Sequence, residues 1–500
     1  MKLKKLFLFA TTFLMTISTF ASCSAKGMGG AMVNMDAAIP PELGGMEEEY
    51  TEIIENPFVS TSVQPSSYFS IDANTASYPN LRSLINNRVK SIDKDAVRVE
   101  EMLNYFDYDY ATPTGDDILA LTSSVFDTPY NAETKILTVG LAAKEVEFTE
   151  QRNNIVFLID VSGSMSSEDK LPLVQASFSM LAENLNEGDR VSIVTYAGED
   201  KVALDGAYGY EKKKIVGVIE DLSAGGSTAG SKGIRTAYNL AEKYFIEGGN
   251  NRVILATDGD FNVGLTVLED LENYVARKRK SGVYFSVFGF GRGNIKSDKM
   301  ETLALNGNGT YSYIDSLNEA RRALVTNIGG TMLTVAKDVK AGIVFNPDYV
   351  DCYRLIGYEN KLLTQEEFEN DETDAGELGS GHTVTVAYEI KLTDKALATD
   401  ENFAQVTIKY KPTENSGGAS ETSKEVFLDV KTSAYHTALT AQDTFIASVI
   451  EFALILRDSK YKADASITDL IDRLNTLTLE DEFKKEFRDL VKTYYSYTLD

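Results

Sequence analysis

The chain has 500 residues, 43% of them hydrophobic and 25% charged, a globular composition with ample material for a buried core. Lys and Arg number 49 against 75 Asp and Glu, a net charge of −26 that repels phosphate backbones and argues against nucleic-acid binding. With two His (His382, His436) and two Cys (Cys23, Cys352), the chain is poorly supplied for His-rich zinc sites, Ser-His-Asp chemistry or a disulfide framework.

Residues 1–22 read as an export signal, with Lys2, Lys4 and Lys5 ahead of an apolar run from Leu6 to Phe20. That run is short for a membrane-spanning helix, which needs about 20 apolar residues. It ends in Phe20-Ala21-Ser22-Cys23. This resembles a bacterial lipobox, in which small residues precede a Cys that is lipidated and becomes the new N-terminus. The resemblance implies a lipid anchor at Cys23 and a place in the bacterial cell envelope, periplasmic or surface-exposed. It would leave Cys352 as a free thiol. Residues 23–50 are rich in Gly, Met and Pro without usable period and read as a flexible tether. No later segment holds 18 consecutive apolar residues, so no further membrane span is expected.

Residues 51–150 read as a flanking module. Helical spacing is expected over Asn74–Asn87, with Pro79 limiting its start, and over Asp95–Phe106; strands are expected at Ala120–Phe126 and Lys135–Leu141. Residues 151–332 alternate strands with amphipathic helices. The predicted strands are Ile155–Asp160, Arg190–Tyr196, Val253–Thr257, Val283–Phe288 and Tyr311–Ile314. The predicted helices are Lys170–Asn186, Lys212–Leu222, Ser231–Phe245, Val267–Lys280 and Ser316–Thr326. Runs such as IVFLI are apolar on both faces, which marks central parallel strands covered by helices on both sides. The expected fold is therefore α/β, a doubly wound, mostly parallel sheet. Residues 333–432 read as β-rich, with strands at Val335–Phe345, His382–Leu392, Phe403–Tyr410 and Glu425–Val430. Residues 433–500 read as three helices with the N-caps Thr440, Ser466 and Thr478, each three residues before an Asp.

Chemistry concentrates in three loops of the 151–332 region. Asp160-Val161-Ser162-Gly163-Ser164 follows the first strand, where ligands bind in open α/β sheets. One carboxylate and two hydroxyls at alternate positions can face one centre, and oxygen-only donors select hard cations such as Mg²⁺, Mn²⁺ or Ca²⁺. Ser223-Ala-Gly-Gly-Ser-Thr228 offers Thr228, and Thr257-Asp258-Gly259 offers Asp258. Together the three resemble the metal-ion-dependent adhesion site of von Willebrand factor type A (VWA) domains. The resemblance implies that Ser162 and Ser164 contact the metal, that Thr228 does so directly or through water, and that Asp160 and Asp258 orient coordinated waters. It also implies an open coordination position for an acidic side chain of a protein ligand. The segments FSIDANTASYPNLR, VRVEEMLNYFDYDY, YRLIGYEN and DAGELGSGHTVTVAYEI resemble bacterial VWA lipoproteins with an extra module on each side of the VWA domain. Strands from before and after the insert are then expected to pack together.

Other candidates point elsewhere. Gly225 to Lys232 mimics a phosphate loop, but Ser231 precedes Lys232 where the pattern needs Lys before Ser or Thr, so no nucleotide is expected. The Gly289–Asn294 loop lies near the metal edge and could influence ligand selectivity. His382 and His436 read as structural, and Asp371, Glu372, Asp374 and Glu377 as a solvated acidic loop. The expected function is a lipid-anchored protein that binds an acidic protein ligand through a divalent metal, in adhesion or scaffolding. The alternative is a subunit docking an envelope or secretion complex. A metal-dependent hydrolase is disfavoured, because Glu168 is the lone candidate base in the three loops.

Overall fold

The computed structural model describes residues 50–71, 73–148, 151–226, 230–259, 265–292, 297–396 and 400–498. The export signal, nearly all of the tether, Cys23 and Thr228 lie outside them. Among the described residues no helix is long and apolar enough to cross a membrane.

The middle of the chain forms a six-stranded sheet. Its spatial order is Tyr311–Ile314, Val283–Phe290, Asn250–Thr257, Asn153–Asp160, Arg190–Ala197, Glu199–Tyr208. Neighbours are parallel except for the last pair, which is antiparallel. The two central strands are buried along their whole length, as a sheet covered on both faces requires. Ile155, Phe157 and Ile159 pack against helix Leu171–Glu183 through Val174, Phe178 and Leu181. The alternate residues Val156 and Leu158 face Ile234, Ala237 and Tyr238 of helix Gly230–Lys243 on the other side. The period-2 alternation of side chains thus feeds two separate cores.

Two further sheets are built from both ends of the chain. In one, Ser66–Ser70 pairs antiparallel with Thr334–Phe345, which also pairs with Gly376–Gly379 and Asn402–Pro412; Lys424–Lys431 forms the far edge. In the other, Lys135–Ala143 lies between Leu119–Asp127 and Thr383–Leu392, and Val350–Ile356 follows. The inner faces share a core that includes Leu137, Val139, Leu141, Ile343, Val386 and Val406. Ile136 and Ala142 turn the other way, toward helices Val99–Asn104, Ala441–Leu456 and Glu482–Thr498. The result is a sheet sandwich with helices on one outer face, into which the six-stranded unit is inserted.

Several elements differ from the sequence expectation. Glu199–Tyr208 is an additional edge strand and Ser297–Asn306 an additional helix. The helix expected over Ser316–Thr326 runs as α-helix through Leu317–Arg321 and then widens into a π-turn over Arg322–Thr326. Thr440 forms the full capping box with Asp443, and the Ser466 hydroxyl accepts from Asp469 N. At the last helix the cap is Asp481, whose Oδ1 accepts from Lys484 N at 2.8 Å, and not Thr478.

Candidate metal centre

The strand Asn153–Asp160 ends by delivering Asp160 to the carboxyl edge of the sheet, fully buried. The chain then turns through a single 3₁₀ turn, Gly163–Ser166. Asp160 Oδ1 accepts a 2.8 Å hydrogen bond from Ser162 N, which folds the loop back over the carboxylate. The Ser162 and Ser164 hydroxyls lie 3.0 Å apart. Ser162 is buried and Ser164 exposed, so the pair runs from the sheet edge out to solvent.

The second loop is fastened to the first through backbone. Gly163 N donates to Gly226 O at 3.1 Å, and Gly225 N donates to Val161 O at 2.7 Å. A Cβ on Gly226, whose φ is +84°, would lie 3.2 Å from Ala197 O, so glycine suits both the left-handed conformation and the close approach. Thr228 comes two residues later in sequence, beyond the described residues. The third loop begins at Asp258, which is buried and close enough to Asp160 for their charges to interact.

The electrostatics follow from this crowding. Burial pushes the Asp160 carboxyl up to about 6, Ser162 opposes the shift by hydrogen bonding, and Asp258 adds to it. Asp160 Oδ2 is buried and receives no well-formed hydrogen bond, although the Tyr196 hydroxyl lies beside it. Burial likewise raises Tyr196 well above the ordinary phenol value. A buried carboxylate oxygen without a full partner, beside a second carboxylate and two hydroxyls, suits a hard divalent cation. Among the described residues no three His, Cys, Asp or Glu side chains gather as a metal cage.

Of the five residues expected at the site, Asp160, Ser162 and Ser164 share one turn and Asp258 adjoins it. Sequence reasoning passed over Tyr196 and Lys170. Lys170 Nζ donates to Asp258 Oδ2 at 2.8 Å. Of the Gly289–Asn294 segment, Gly289 and Phe290 end the strand Val283–Phe290, Arg292 N donates to Asp169 Oδ2 at 3.3 Å, and residues 293–294 lie outside the described residues. His382 lies far along the chain in the sandwich, half-buried, with its Nδ1 sealed and unpartnered. Cys352 is a free thiol.

Residues 154–326 match the von Willebrand factor type A domain family, residues 45–138 a family described as von Willebrand factor, and residues 330–496 the C-terminal domain of uncharacterized protein YfbK. The chain is 41% identical over 385 residues to the uncharacterized protein YfbK of Escherichia coli (strain K12), a match covering 75% of this chain and 66%, just under two thirds, of that one. It is 25% identical over 311 residues to the uncharacterized protein sll0103 of Synechocystis, covering 58% of this chain and 70% of that one. Among solved structures, a von Willebrand factor type A protein from Catenulispora acidiphila is 15% identical with a TM-score of 0.41, covering 74% of this chain and 84% of that one.

Proposed function

We propose that this chain, which carries a VWA domain followed by a C-terminal domain of the YfbK type, is a lipid-anchored protein of the bacterial cell envelope that captures an acidic protein ligand through a divalent metal. The observation that carries this reading is the turn holding Asp160, Ser162 and Ser164, tied by backbone hydrogen bonds to the loop before Thr228 and flanked by Asp258. Asp160, Ser162, Ser164, Thr228 and Asp258 would hold the ion, with Mg²⁺ favoured and Mn²⁺ or Ca²⁺ as alternatives. Bound there, the metal supplies a Lewis-acidic position that an incoming carboxylate oxygen fills. The chain's own part is positional. Ser162 N fixes the Asp160 carboxylate, and the exposed Ser164 hydroxyl marks the side from which a ligand approaches. Nothing in this role calls for a general base, so we read the site as a binding site and not an enzyme's. Cys23 would carry the lipid, and residues 24–50 would hold the folded body away from the membrane.

Titration calorimetry tests the metal. The wild-type protein takes up one equivalent of Mg²⁺ and Asp160→Ala takes up none. Equal binding by the variant, or none by the wild type at millimolar Mg²⁺, would remove the site from the account.

A further inference from the structure

Asp258 does not offer both of its carboxylate oxygens to a metal. Its Oδ2 receives the Lys170 ammonium at 2.8 Å, with the two side chains 0% and 5% exposed respectively. The lysine is held there by construction. It immediately precedes helix Leu171–Glu183, and its carbonyl accepts the first helical hydrogen bond from Val174 N at 2.9 Å. Its stem passes directly over Gly291, where a Cβ would lie 2.4 Å from the lysine Cγ and 2.5 Å from its Cε. Gly291 also has φ +75°, so glycine there serves both the backbone and the passage of the stem. A lysine led through such a channel cannot swing its charge into water as a surface lysine does.

The charge count at the site follows. Asp160 and Asp258 are crowded and acidic; Lys170 cancels one of the two charges. Arg292, on the neighbouring loop, is about half exposed and sits 3.8 Å from Asp169, so it is offset locally. We infer that Lys170 is a resident counter-charge of the metal centre. It stabilises the two carboxylates when no metal is bound. It weakens the hold on a divalent ion by repulsion, and it leaves the bound ion with a surplus positive charge that an anionic ligand satisfies. This inference rests on the metal-centre reading above.

Mg²⁺ calorimetry and thermal unfolding with Mg²⁺ or with EDTA, on wild type, Lys170→Met and Lys170→Arg, test it. Lys170→Met binds Mg²⁺ roughly tenfold or more tightly, about 1.4 kcal/mol. It melts lower than wild type in EDTA and gains more on adding Mg²⁺. Lys170→Arg keeps the charge and follows wild type. Should Lys170→Met not fold, Lys170→Gln is read in the same way. Unchanged or weaker Mg²⁺ binding by the neutral variant overturns the inference, as does an Arg variant that behaves like the neutral one. A wild type that binds no Mg²⁺ removes the metal-centre reading separately. A neutral variant that then gains binding would still support the counter-charge, and one that gains none would overturn it.

Discussion

His382 shows how one side chain outside the candidate metal centre sets a measurable property. Its ring packs against Gly330, where a Cβ would lie 2.5 Å from Cδ2, and its Nδ1 is sealed without a partner. Burial, reinforced by Arg322, pushes its pKa from 6.5 down to about 4. The unfolded chain therefore binds a proton between those values that the folded chain refuses. The stability tied to the neutral imidazole is complete above pH 6.5 and is lost as pH falls through 4, at roughly 1.4 kcal/mol per pH unit at most. His382→Gln removes this slope: denaturant unfolding between pH 6.5 and 4 should show wild type losing stability relative to the variant. Parallel pH profiles would exclude the assignment. At this scale the convergence of Asp160, Ser162 and Ser164 was readable because the three are local in sequence and fixed by one turn. Lys170 was not, since its partner Asp258 is 88 residues away and the lysine joins it only through the fold.

At the scale of elements, legibility followed burial. The strands Asn153–Asp160 and Asn250–Thr257 are buried at every residue, and their apolar runs announced them. Glu199–Tyr208 is an exposed edge carrying Glu199, Asp200, Lys201 and Asp205, so no side-chain alternation marked it; it forms because Arg190–Ala197 offers it a free edge. Helix Ser297–Asn306 was hidden by its short polar start. The π-turn at Arg322–Thr326 keeps helical spacing in sequence, so the widened hydrogen bonding left no trace there. Caps were legible where the side chain is local. Thr440 Oγ1 accepts from Asp443 N at 3.1 Å, and Asp443 Oδ2 accepts from Thr440 N at 3.0 Å and lies 2.8 Å from His436 Nε2. The helix that this box starts, Ala441–Leu456, is almost wholly buried. Thr440→Ala should cost about 1 kcal/mol by chemical denaturation. A change below about 0.3 kcal/mol would mean that tertiary packing alone sets this helix start.

For the whole molecule, the governing feature is that neither flank completes a sheet without the other. Ser66–Ser70 pairs with Thr334–Phe345, and Lys135–Ala143 with Thr383–Leu392. The entry into the VWA domain and the exit from it are both bonded to one loop: Val146 N donates to Ser380 Oγ at 2.6 Å and Gly381 N to Lys144 O at 3.1 Å, while Ser380 N donates to Leu333 O at 2.8 Å. Residues 51–143 joined by a short linker to 334–500 should therefore unfold cooperatively, whereas 334–500 alone should not. Arg82 distinguishes this joined form from the full chain. Its guanidinium bonds Asp315 and Glu319 of the VWA side, at 2.5 and 2.8 Å, and also Glu486 and the Tyr105 hydroxyl on the flanks, each at 2.8 Å. In the full chain Arg82→Met strands the buried Asp315 carboxylate and leaves Glu319 with Arg322 and the Tyr105 hydroxyl, at a cost of about 3–5 kcal/mol. In the joined form those two partners are gone and the arginine faces water, so the same substitution should change stability by less than about 1 kcal/mol. Equal losses in both forms would mean that Arg82 acts by packing within the flanks and not as the ionic link between them and the inserted domain.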